Sequence, residues 1–492
     1  MGKQEINIVW FKRDFRLSDH APLAAAIEEG KPLLLVAFLE PSLMNVAQSD
    51  IRHWRFVRQS ISDMNNSLLA VEGKVELVQT EVIPFFQYLA DSYHINKVFS
   101  YQETGIQITY DRDIKTTQLF HELGIEWVEF PYAGVIRGIK RRSNWPKHWY
   151  TTMAAKQDAV DLSRLKSVSL NISDFPQEWF DLPKEIEERP EGYQIGGESL
   201  AKQYLSSFLK DRVSNYNQHI SKPALSRKSC SRLSPYLAWG NLSMRQVYQA
   251  AVEAKKSSDQ KWNINSFMSR LRWHCHFIQK FEMMERYERE NINPGYNELR
   301  TDWDENKYLA WERGQTGYPL IDACMRCLKS TGYINFRMRS MLVSFLTHHL
   351  WLHWKRGADY LASLFLDFEP GIHYAQFQMQ AGTTGYNTVR IYNPVKQSKD
   401  NDAEGVFIKQ WVPELSQLPL NFLLEPWKMS EMEQQMNGCV LGKDYPLPIV
   451  DIKATYKSAS KALWGMKKNP TVRKEARKIL AKQDEEARPI DG

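Results

Sequence analysis

Five short apolar segments in the first 131 residues alternate with segments of helical periodicity. The apolar segments span residues 6–11, 33–38, 75–78, 98–101 and 127–130, and the helical patterns span 21–29, 51–71, 82–93 and 110–123. A helix between two strands carries the chain back across the sheet, so consecutive strands run parallel. The alternation therefore predicts an α/β domain with a parallel, doubly wound sheet. No G-x-G-x-x-G follows the first apolar segment, so the ordinary dinucleotide fingerprint is absent.

The pattern changes twice along the remaining chain. Residues 132–199 lose the sheet rhythm and contain several prolines and the acidic stretch LPKEIEERPEG, which is typical of a connector. Helical periodicity dominates from residue 200. A chain of 492 residues is too long for one compact core. We predict an α/β domain over 1–131, a connector over 132–199, a large all-α domain over 200–470 and a polar tail over 471–492.

Composition limits the kinds of partner and compartment. The formal net charge is +6, from 64 basic and 58 acidic side chains, which suits an anionic partner without establishing one. Five cysteines without framework spacing favour a reducing, cytoplasmic location. Cys324 and Cys327 form a C-x-x-C inside a helical pattern with no second pair, which favours core packing over a metal site. The longest uncharged run, 340–354, is too short to cross a bilayer. We expect a monomer with no membrane segment and no metal.

Residues 314–385 place charges inside an apolar helical pattern. Gly314, Gly317 and Pro319 open a helix predicted over 320–329, and a second helix is predicted over 335–355. The charged or ionisable residues in and after the second helix are Arg337, Arg339, Asp367, Glu369 and His373. A buried charge must pair or meet a polar ligand, because leaving it alone costs several kcal/mol. The pattern predicts a site for a large ligand that is both polar and aromatic.

Several segments together resemble a known family. In the carboxyl-terminal half these are GQTGYPLIDACMR, RMRSMLVSFLTHHLWLHW, FLDFEP, QAGTTG, IYNPVKQS and FIKQWVPEL. Upstream, IVWFKRDFRLSDHAPL and SCSRLSPYLAWGNLS continue the resemblance. They span nearly the whole chain in colinear order and resemble the photolyase and cryptochrome family. Within this family, the chain resembles a divergent, bacterial-type photolyase that acts on cyclobutane pyrimidine dimers.

The resemblance implies FAD as the cofactor of the helical domain. The residues it assigns to FAD are Tyr216, Ser231, Arg232, Leu233, Ser234, His274, Arg339, Asp367, Glu369 and His373. Arg339 and Asp367 correspond to the pair beside the flavin ring, and His373 falls where photolyases usually have Asn. Ser231 and Ser234 precede a helix predicted near Pro235, where free N–H groups favour a phosphate. An ordinary N-cap by Ser234 is the alternative.

The implied activity is light-driven electron transfer from reduced FAD to a flipped dimer in damaged DNA. The resemblance implies Arg339, Asp367 and Trp354 as catalytic residues, and Trp273, Arg337, Met379 and Arg270 as the substrate site. Arg270 stands where such photolyases commonly have Glu, and Phe336 replaces a common Asn. These departures favour an alternative function, a cryptochrome-like blue-light photoreceptor without repair activity. A nucleic-acid-binding flavoprotein without photochemistry is a third alternative.

The tryptophan relay that reduces the flavin in the family is incomplete in this chain. Trp354 matches its middle member, but the flavin-proximal position falls on Phe377 and the surface position on Thr301. A path rerouted through Trp351, Trp303 or Tyr374 is one hypothesis. In the other, Trp354 packs the core without carrying electrons.

Two further segments have two interpretations each. Glu103, in the stretch 101–104 after the fourth predicted strand, either holds an antenna chromophore of unknown identity or is a solvated loop carboxylate. The connector stretch VIRGIKRRSNWPKHWY interleaves basic and aromatic residues. It either contacts nucleic acid or forms a solvated basic face.

Overall fold

A computed structural model describes residues 3–483 of the chain, and its amino-terminal part is built on a parallel sheet. The strands are β1 Gln4–Phe11, β2 Leu33–Phe38, β3 Val75–Val78, β4 Tyr93–Tyr101, β5 Glu126–Phe130 and β6 Ser167–Val168. The main order is β3-β2-β1-β4-β5, with every pair parallel. The predicted fold class, a parallel α/β domain followed by a large helical domain, is confirmed. Helices cover both faces of the sheet, which explains why β2 is buried along its whole length.

The helices of this domain are α1 Ala21–Glu28, α2 Pro41–Met44, α3 Ile51–Leu68, α4 Val82–Ser92 and α5 Gln107–Leu123. Side chains from α1 and α3 pack in a core with one face of β1, around Val9 and Phe11. Side chains from α4 and α5 pack on the opposite face, around Ile8 and Trp10. Alternate residues of one strand thus enter two separate cores, as the pleat of a strand requires.

The connector contains helix α6, Trp145–Ala154, and returns to the sheet as β6. Ser167 and Val168 pair with Leu33 and Leu34 of β2. The connector predicted over 132–199 therefore contributes one short strand to the sheet, which its sequence pattern did not indicate. Two residues are too few to produce an alternating pattern, and their pairing depends on a strand more than 130 positions away.

The helical domain follows, with α7 Glu198–Lys210, α8 Tyr216–His219, α9 Pro223–Ser229, α10 Ser234–Ala238, α11 Met244–Ser257, α12 Lys261–Glu282, α13 Glu305–Arg313, α14 Pro319–Thr331, α15 Phe336–Ser344, α16 Trp354–Leu364, α17 Pro370–Ala381, α18 Pro394–Asn401, α19 Val406–Trp411, α20 Leu420–Leu423, α21 Glu431–Met436, α22 Ile452–Lys468 and α23 Pro470–Gln483. Cys324 and Cys327 are buried within α14. Among residues 3–483, no group of three or more potential ligands could hold a metal ion.

The single helix predicted over 335–355 is wrong. The chain forms α15, then a π-helical turn over Phe345–His349, then a non-helical turn in which Trp351 has a φ of +58°. Helix α16 begins at Trp354, where the His353 ring accepts a hydrogen bond from the Lys355 N–H at 3.2 Å. Apolar residues continue at helical spacing through the break, so periodicity alone did not reveal it. Trp354 consequently lies in the first turn of a separate helix.

The carboxyl-terminal segment that the sequence predicted as a polar tail includes α23. Val472 and Ile479 are buried, and the Asn293 side chain donates to the Val472 carbonyl at 2.9 Å. The described part of this segment therefore packs on the helical domain, and residues 484–492 lie outside the described range. Within that range, every helix is too short or too polar to cross a lipid bilayer.

The loop after β1 fixes the sheet against the helical domain. Arg13 Nε donates to the Ala238 carbonyl at 3.1 Å, and its Nη2 donates to the Phe368 carbonyl. Gly240 has a φ of +68°, and a Cβ there would lie 2.2 Å from the Arg13 carbonyl oxygen. Only glycine fits this close approach of two backbones. The carboxyl edge of the sheet is thereby held next to the segment that contains Asp367 and Glu369.

Candidate functional site

An arginine–aspartate pair lies at the centre of the candidate site. Arg339 of α15 binds Asp367 in a bidentate ion pair, with Nη1–Oδ1 at 3.0 Å and Nη2–Oδ2 at 2.8 Å. Arg339 Nε donates to the Ile334 carbonyl at 2.9 Å, and its guanidinium lies 3.9 Å from the Phe365 ring centroid. Asn335 caps the first turn of α15, which orients Arg339. The pairing follows the sequence expectation, and its role toward a cofactor stays a prediction.

The pKa of Asp367 shows that its charge is compensated. Burial by itself raises the pKa of this carboxyl, but the charge and hydrogen bonds of Arg339 and the Ser234 hydroxyl bond outweigh burial and hold it below its usual value. Ser234 is the first residue of α10, after Leu233, and its side chain does not cap that helix. The N-cap alternative for Ser234 is therefore wrong. Its side chain instead acts on Asp367, whose pKa it helps to lower.

Arg232 is a buried cation without a carboxylate partner among the described residues. It has a φ of +56°, its Nη2 donates to Gln194 Oε1 at 2.6 Å, and its guanidinium lies 3.9 Å from the Tyr333 ring centroid. Its buried Nε atom has no hydrogen-bond partner within residues 3–483. Burial lowers the pKa of Arg232. An unpaired N–H on a buried guanidinium fits an anionic ligand such as the diphosphate of FAD.

Two histidines line the same region in their neutral form. Burial lowers the pKa of both His274 and His373 to about 4. Neighbouring Arg13 lowers the His274 value further, and Asp367 acts in the opposite direction. His373 Nε2 donates to the Ala358 carbonyl at 2.8 Å. Both side chains are partly exposed.

Glu369 faces the junction between the two domains. Its Oε2 lies 3.7 Å from Arg13 Nη2, and its buried Oε1 has no partner among the described residues. Burial raises the pKa of Glu369, although Arg13 opposes the shift. A small cleft here is lined by Lys12, Arg13, Asp14, Tyr101, Gln102, Glu103, Thr104, Tyr132 and Glu369. Glu369 therefore contacts this cleft as well as the segment of Asp367.

Glu103, the candidate antenna residue, is buried, so its interpretation as a solvated loop carboxylate is wrong. Its side chain accepts hydrogen bonds from the N–H groups of Thr104 and Gly105 at 2.9 and 2.7 Å, and pairs with Arg112 Nη2 at 2.7 Å. Its carboxylate is thus engaged by the α/β domain itself. An antenna chromophore stays a prediction for this cleft.

The substrate candidates lie on three helices that pack together. Helix α12 carries Arg270 and Trp273, α15 carries Arg337, and α17, which packs against both helices, carries Met379. The Trp273 side chain is 42% exposed, so one face of its indole is open to a ligand. Arg337 Nη1 donates to the Tyr392 hydroxyl at 3.3 Å.

Arg270 connects the cofactor and substrate candidates. It is exposed on α12, and its positive charge acts on the pKa of Tyr216, one of the residues assigned to the cofactor, against the upward shift that burial causes. Tyr216 is buried against the Phe208 and Phe267 rings at 5.6 and 6.0 Å. These ring contacts hold the Tyr216 side chain, and with it the hydroxyl group, in one position.

Trp354 is fully buried, and its Nε1 donates to Asn291 Oδ1 at 2.8 Å. Its ring centroid lies 6.4 Å from those of both Tyr374 and Phe377. The Tyr374 hydroxyl donates to Asp359, and Gln48 of the α/β domain contacts both groups. Sequence reasoning missed Gln48 and Asp359, because no pattern links positions 48, 359 and 374.

The basic part of the connector runs antiparallel along α12. Ile136 exchanges two hydrogen bonds with the Gln279 side chain, at 2.7 and 3.0 Å. Further along, Arg142 contacts His276, and Arg272 Nη1 donates to the Tyr150 hydroxyl at 3.1 Å. The connector therefore lies beside Trp273. Sequence reasoning singled out the connector's composition but not its neighbour.

Comparisons with known proteins agree over most of the chain. Residues 7–157 match a family model described as DNA photolyase, and residues 267–465 match one described as the FAD binding domain of DNA photolyase. The chain is 30% identical over 491 residues to a deoxyribodipyrimidine photo-lyase of Alkalihalophilus pseudofirmus, covering 93% of this chain and 98% of that protein. It is 26% identical over 481 residues to a cryptochrome DASH of Gloeobacter violaceus, covering 90% and 93%. A bacterial class III photolyase structure from Agrobacterium tumefaciens superimposes with a TM-score of 0.80 at 25% identity, covering 95% of this chain and 99% of that one.

Proposed function

The chain belongs to the photolyase and cryptochrome family, and from this premise we propose that it is a FAD-dependent photolyase that repairs cyclobutane pyrimidine dimers in damaged DNA. The observation that carries the proposal is the arrangement on α12. His274 is partly exposed and lies near enough to Asp367 for that carboxylate to oppose the fall that burial causes in its pKa, and the preceding residue, Trp273, is 42% exposed. A cofactor against the Arg339–Asp367 pair would therefore lie directly beneath the surface on which a base can stack.

Bound FAD supplies the light-driven one-electron chemistry of such a reaction. The chain supplies position and charge. Arg232 offers its unpaired N–H to the diphosphate, and the cluster of Ser234, Arg339 and Asp367 presents a fixed arginine and a charged carboxylate to the flavin ring. The other residues assigned to the cofactor are Tyr216, Ser231, Leu233, His274, Glu369 and His373.

Residues at the surface would bind the extruded dimer. Flipping a damaged pair costs a few kcal/mol, less than an intact pair requires. Stacking on Trp273 offsets this cost by about 1–3 kcal/mol per base. Met379 offers an apolar, adaptable wall, and Arg337 offers a cation to phosphate.

The direct test is repair by chemically reduced protein. The protein is loaded with FAD, reduced in the dark and illuminated with a dimer-containing oligonucleotide, and intact thymines are counted by chromatography. We expect light-dependent recovery of thymines, with undamaged DNA as the binding control. Dimers that remain intact under illumination, in protein that binds FAD, would refute the proposal.

A matched pair of tryptophans tests the substrate surface. Trp273→Ala should weaken binding of the dimer about 5- to 150-fold, the equivalent of about 1–3 kcal/mol of stacking. Trp262, at the start of the same helix, is 71% exposed, and Trp262→Ala is the control. Equal loss of dimer affinity in the two variants would contradict a specific role for Trp273.

The photoreceptor function is the second candidate. It is favoured by Arg270, which stands where photolyases of this specificity commonly present a Glu to the bases, and by the half-exposed Phe336. It predicts light-driven reduction of bound FAD together with an absence of thymine recovery in the same assay.

A further inference from the structure

A buried tyrosine next to Trp354 has a built-in proton acceptor. The Tyr374 hydroxyl donates to Asp359 Oδ1 at 3.0 Å. Gln48 Nε2 donates to the Tyr374 oxygen at 2.9 Å and to Asp359 Oδ1 at 3.0 Å. Lys355 Nζ lies 2.6 and 2.7 Å from the two Asp359 oxygens. This network is separate from the Arg339–Asp367 cluster and has no part in the cofactor or substrate contacts described above.

Tyr374 is in ring contact with both the redox candidate Trp354 and the cofactor candidate His373. The ring centroids lie 6.4 Å apart for Tyr374 and Trp354, and 5.4 Å apart for Tyr374 and His373. Both Tyr374 and Trp354 are fully buried. Electron transfer between adjacent, rigidly packed aromatic rings is fast, so a hole on Trp354 would be filled from an oxidisable neighbour.

The other two candidate carriers are less suitable. Trp351 has no ring contact with Trp354 among residues 3–483, whereas Tyr374 has one at 6.4 Å. Trp303 is exposed and contacts Tyr308 at 5.1 Å. Among residues 3–483, no ring contact connects the Trp303–Tyr308 pair to Trp354. The other described rings next to Trp354 are those of His353 at 5.5 Å and Phe377 at 6.4 Å, and both are less readily oxidised than a phenol.

We propose that Tyr374 is the electron donor to oxidised Trp354, and that Asp359 takes the phenolic proton. The inference rests on the proposed function, because Trp354 would lose one electron to the light-excited, oxidised flavin that this function supplies. The Trp354 radical cation then gains one electron from Tyr374 and becomes neutral indole. The O–H bond of Tyr374 breaks, its proton goes to Asp359 Oδ1, and a neutral phenoxyl radical and a protonated carboxyl remain.

The surroundings explain why the proton leaves with the electron. Burial, with Asp359 next in effect, raises the pKa of Tyr374 well above its usual value, so the phenol is protonated before transfer. An oxidised phenol is a strong acid, and the carboxylate is already hydrogen-bonded to it. The positive charge moves from buried Trp354 to the Asp359–Lys355 pair, whose side chains are 17% and 27% exposed. A positive charge costs less free energy at this partly exposed pair than on the buried Trp354 ring. The Gln48 amide remains bonded to the phenoxyl oxygen.

The test locates the radical by electron paramagnetic resonance. FAD-loaded protein with oxidised flavin, grown with ring-deuterated tyrosine, is illuminated and frozen. We expect a tyrosyl signal that narrows on deuteration, disappears in Tyr374→Phe and is replaced there by a tryptophan signal. Asp359→Asn should lower the tyrosyl yield about tenfold, because it removes the charged acceptor of the hydrogen bond. In wild-type protein, the radical should form more slowly in D₂O than in H₂O.

The matched control is Tyr445→Phe. Tyr445 is also buried and donates to a carboxylate, Asp322, at 2.5 Å, but it has no ring contact with Trp354 among the described residues. Its substitution should leave the tyrosyl signal unchanged. A tyrosyl signal that persists in Tyr374→Phe overturns the inference, and an undiminished yield in Asp359→Asn overturns the role of Asp359. If Asp359→Asn does not fold, an equal rate in D₂O and H₂O overturns that role instead.

The repair assay separates this inference from the proposed function. Wild-type protein reduced chemically in the dark repairs DNA without any electron from Tyr374. A Tyr374-dependent radical in protein that fails to repair dimers would refute the photolyase function and keep the inference. Repair by chemically reduced protein, together with a radical on a residue other than Tyr374, would support the photolyase function and refute the inference.

Discussion

Neutralising three basic side chains of the connector should reduce the salt dependence of DNA binding. Lys140, Arg141 and Lys147 are exposed and make no ion pair with any residue in the described range 3–483. Residues 131–157 contain six basic residues and no acidic one, and residues 261–281 of α12 contain four and none. The antiparallel contact of these two segments produces a surface of one sign beside Trp273.

The magnitude follows from counterion release. Each phosphate contact contributes about 0.9 to the slope of log affinity against log salt on duplex DNA and about 0.7 on single strands. If all three side chains contact phosphates, the triple alanine variant loses about 2.7 from the slope on duplex DNA and about 2.1 on single strands. At about 0.1 M salt, this corresponds to roughly eightfold in affinity per contact on duplex DNA.

The assay is a fluorescence-anisotropy titration of undamaged and dimer-containing oligonucleotides at several salt concentrations. The control variant replaces Lys115, Lys184 and Lys210, which are exposed and have no ion pair with any described residue. It changes net charge by the same amount and should leave the slope almost unchanged. An equal fall in slope for both variants would refute a local contact and leave only a net-charge effect. An unchanged slope in the connector variant would refute the connector surface outright.

The remaining predictions concern the candidate cofactor site. Asp367→Asn should lower the free energy of unfolding of the apoprotein, measured in urea, by about 2 kcal/mol. This value lies between those for exposed and for buried ion pairs, because the Arg339 side chain is 24% exposed. An unchanged free energy of unfolding would show that the ion pair contributes nothing to stability. Arg232→Gln should leave the apoprotein as stable as before or more stable, because a buried cation without an anionic partner is costly. The same substitution should weaken FAD binding about tenfold to a hundredfold, measured by flavin fluorescence, because it removes the charge that an anion would meet. The pKa of His373 is about 4 in the folded protein, below its value in the unfolded chain. Between about pH 6.5 and 4 the unfolded chain therefore binds more protons than the folded protein. Stability falls as the pH falls through that range. His373→Asn should remove about 2 kcal/mol of the stability loss between about pH 7 and 5, and an identical pH profile would contradict a neutral buried His373. Trp354→Phe should slow light-driven reduction of bound FAD, and an unchanged rate would leave Trp354 with a packing role only.

Periodicity predicted most elements of the α/β domain because each pattern is local. The strand 33–38 is entirely apolar, and the structure buries all of it between two helical layers. The same method failed at Trp351, where an apolar pattern continues across a turn stabilised by contacts such as the stacking of Arg300. Residue spacing indicates which face of a helix or strand is buried. It does not indicate where the backbone turns when the segments before and after the turn are both buried.

The candidate site was predictable in part. The sequence motifs indicated Arg339 and Asp367 as partners, because a partly buried carboxylate is stabilised by a cation beside it. They gave no indication that Ser234 helps to lower the pKa of Asp367, that Arg232 lacks an acidic partner among residues 3–483, or that Glu103 is buried and bonded to Arg112. Each of these depends on which of many polar residues comes within hydrogen-bond distance, and packing decides that.

The sequence by itself determined the fold class and the family, because alternating periodicities and colinear motifs are properties of neighbouring residues. Only the tertiary structure decided which distant groups meet. It brings Gln48, Asp359 and Tyr374 together, and it lays the basic connector along α12 beside Trp273. Hydrogen bonds and ion pairs act over a few ångströms, so their partners are set by how whole elements pack.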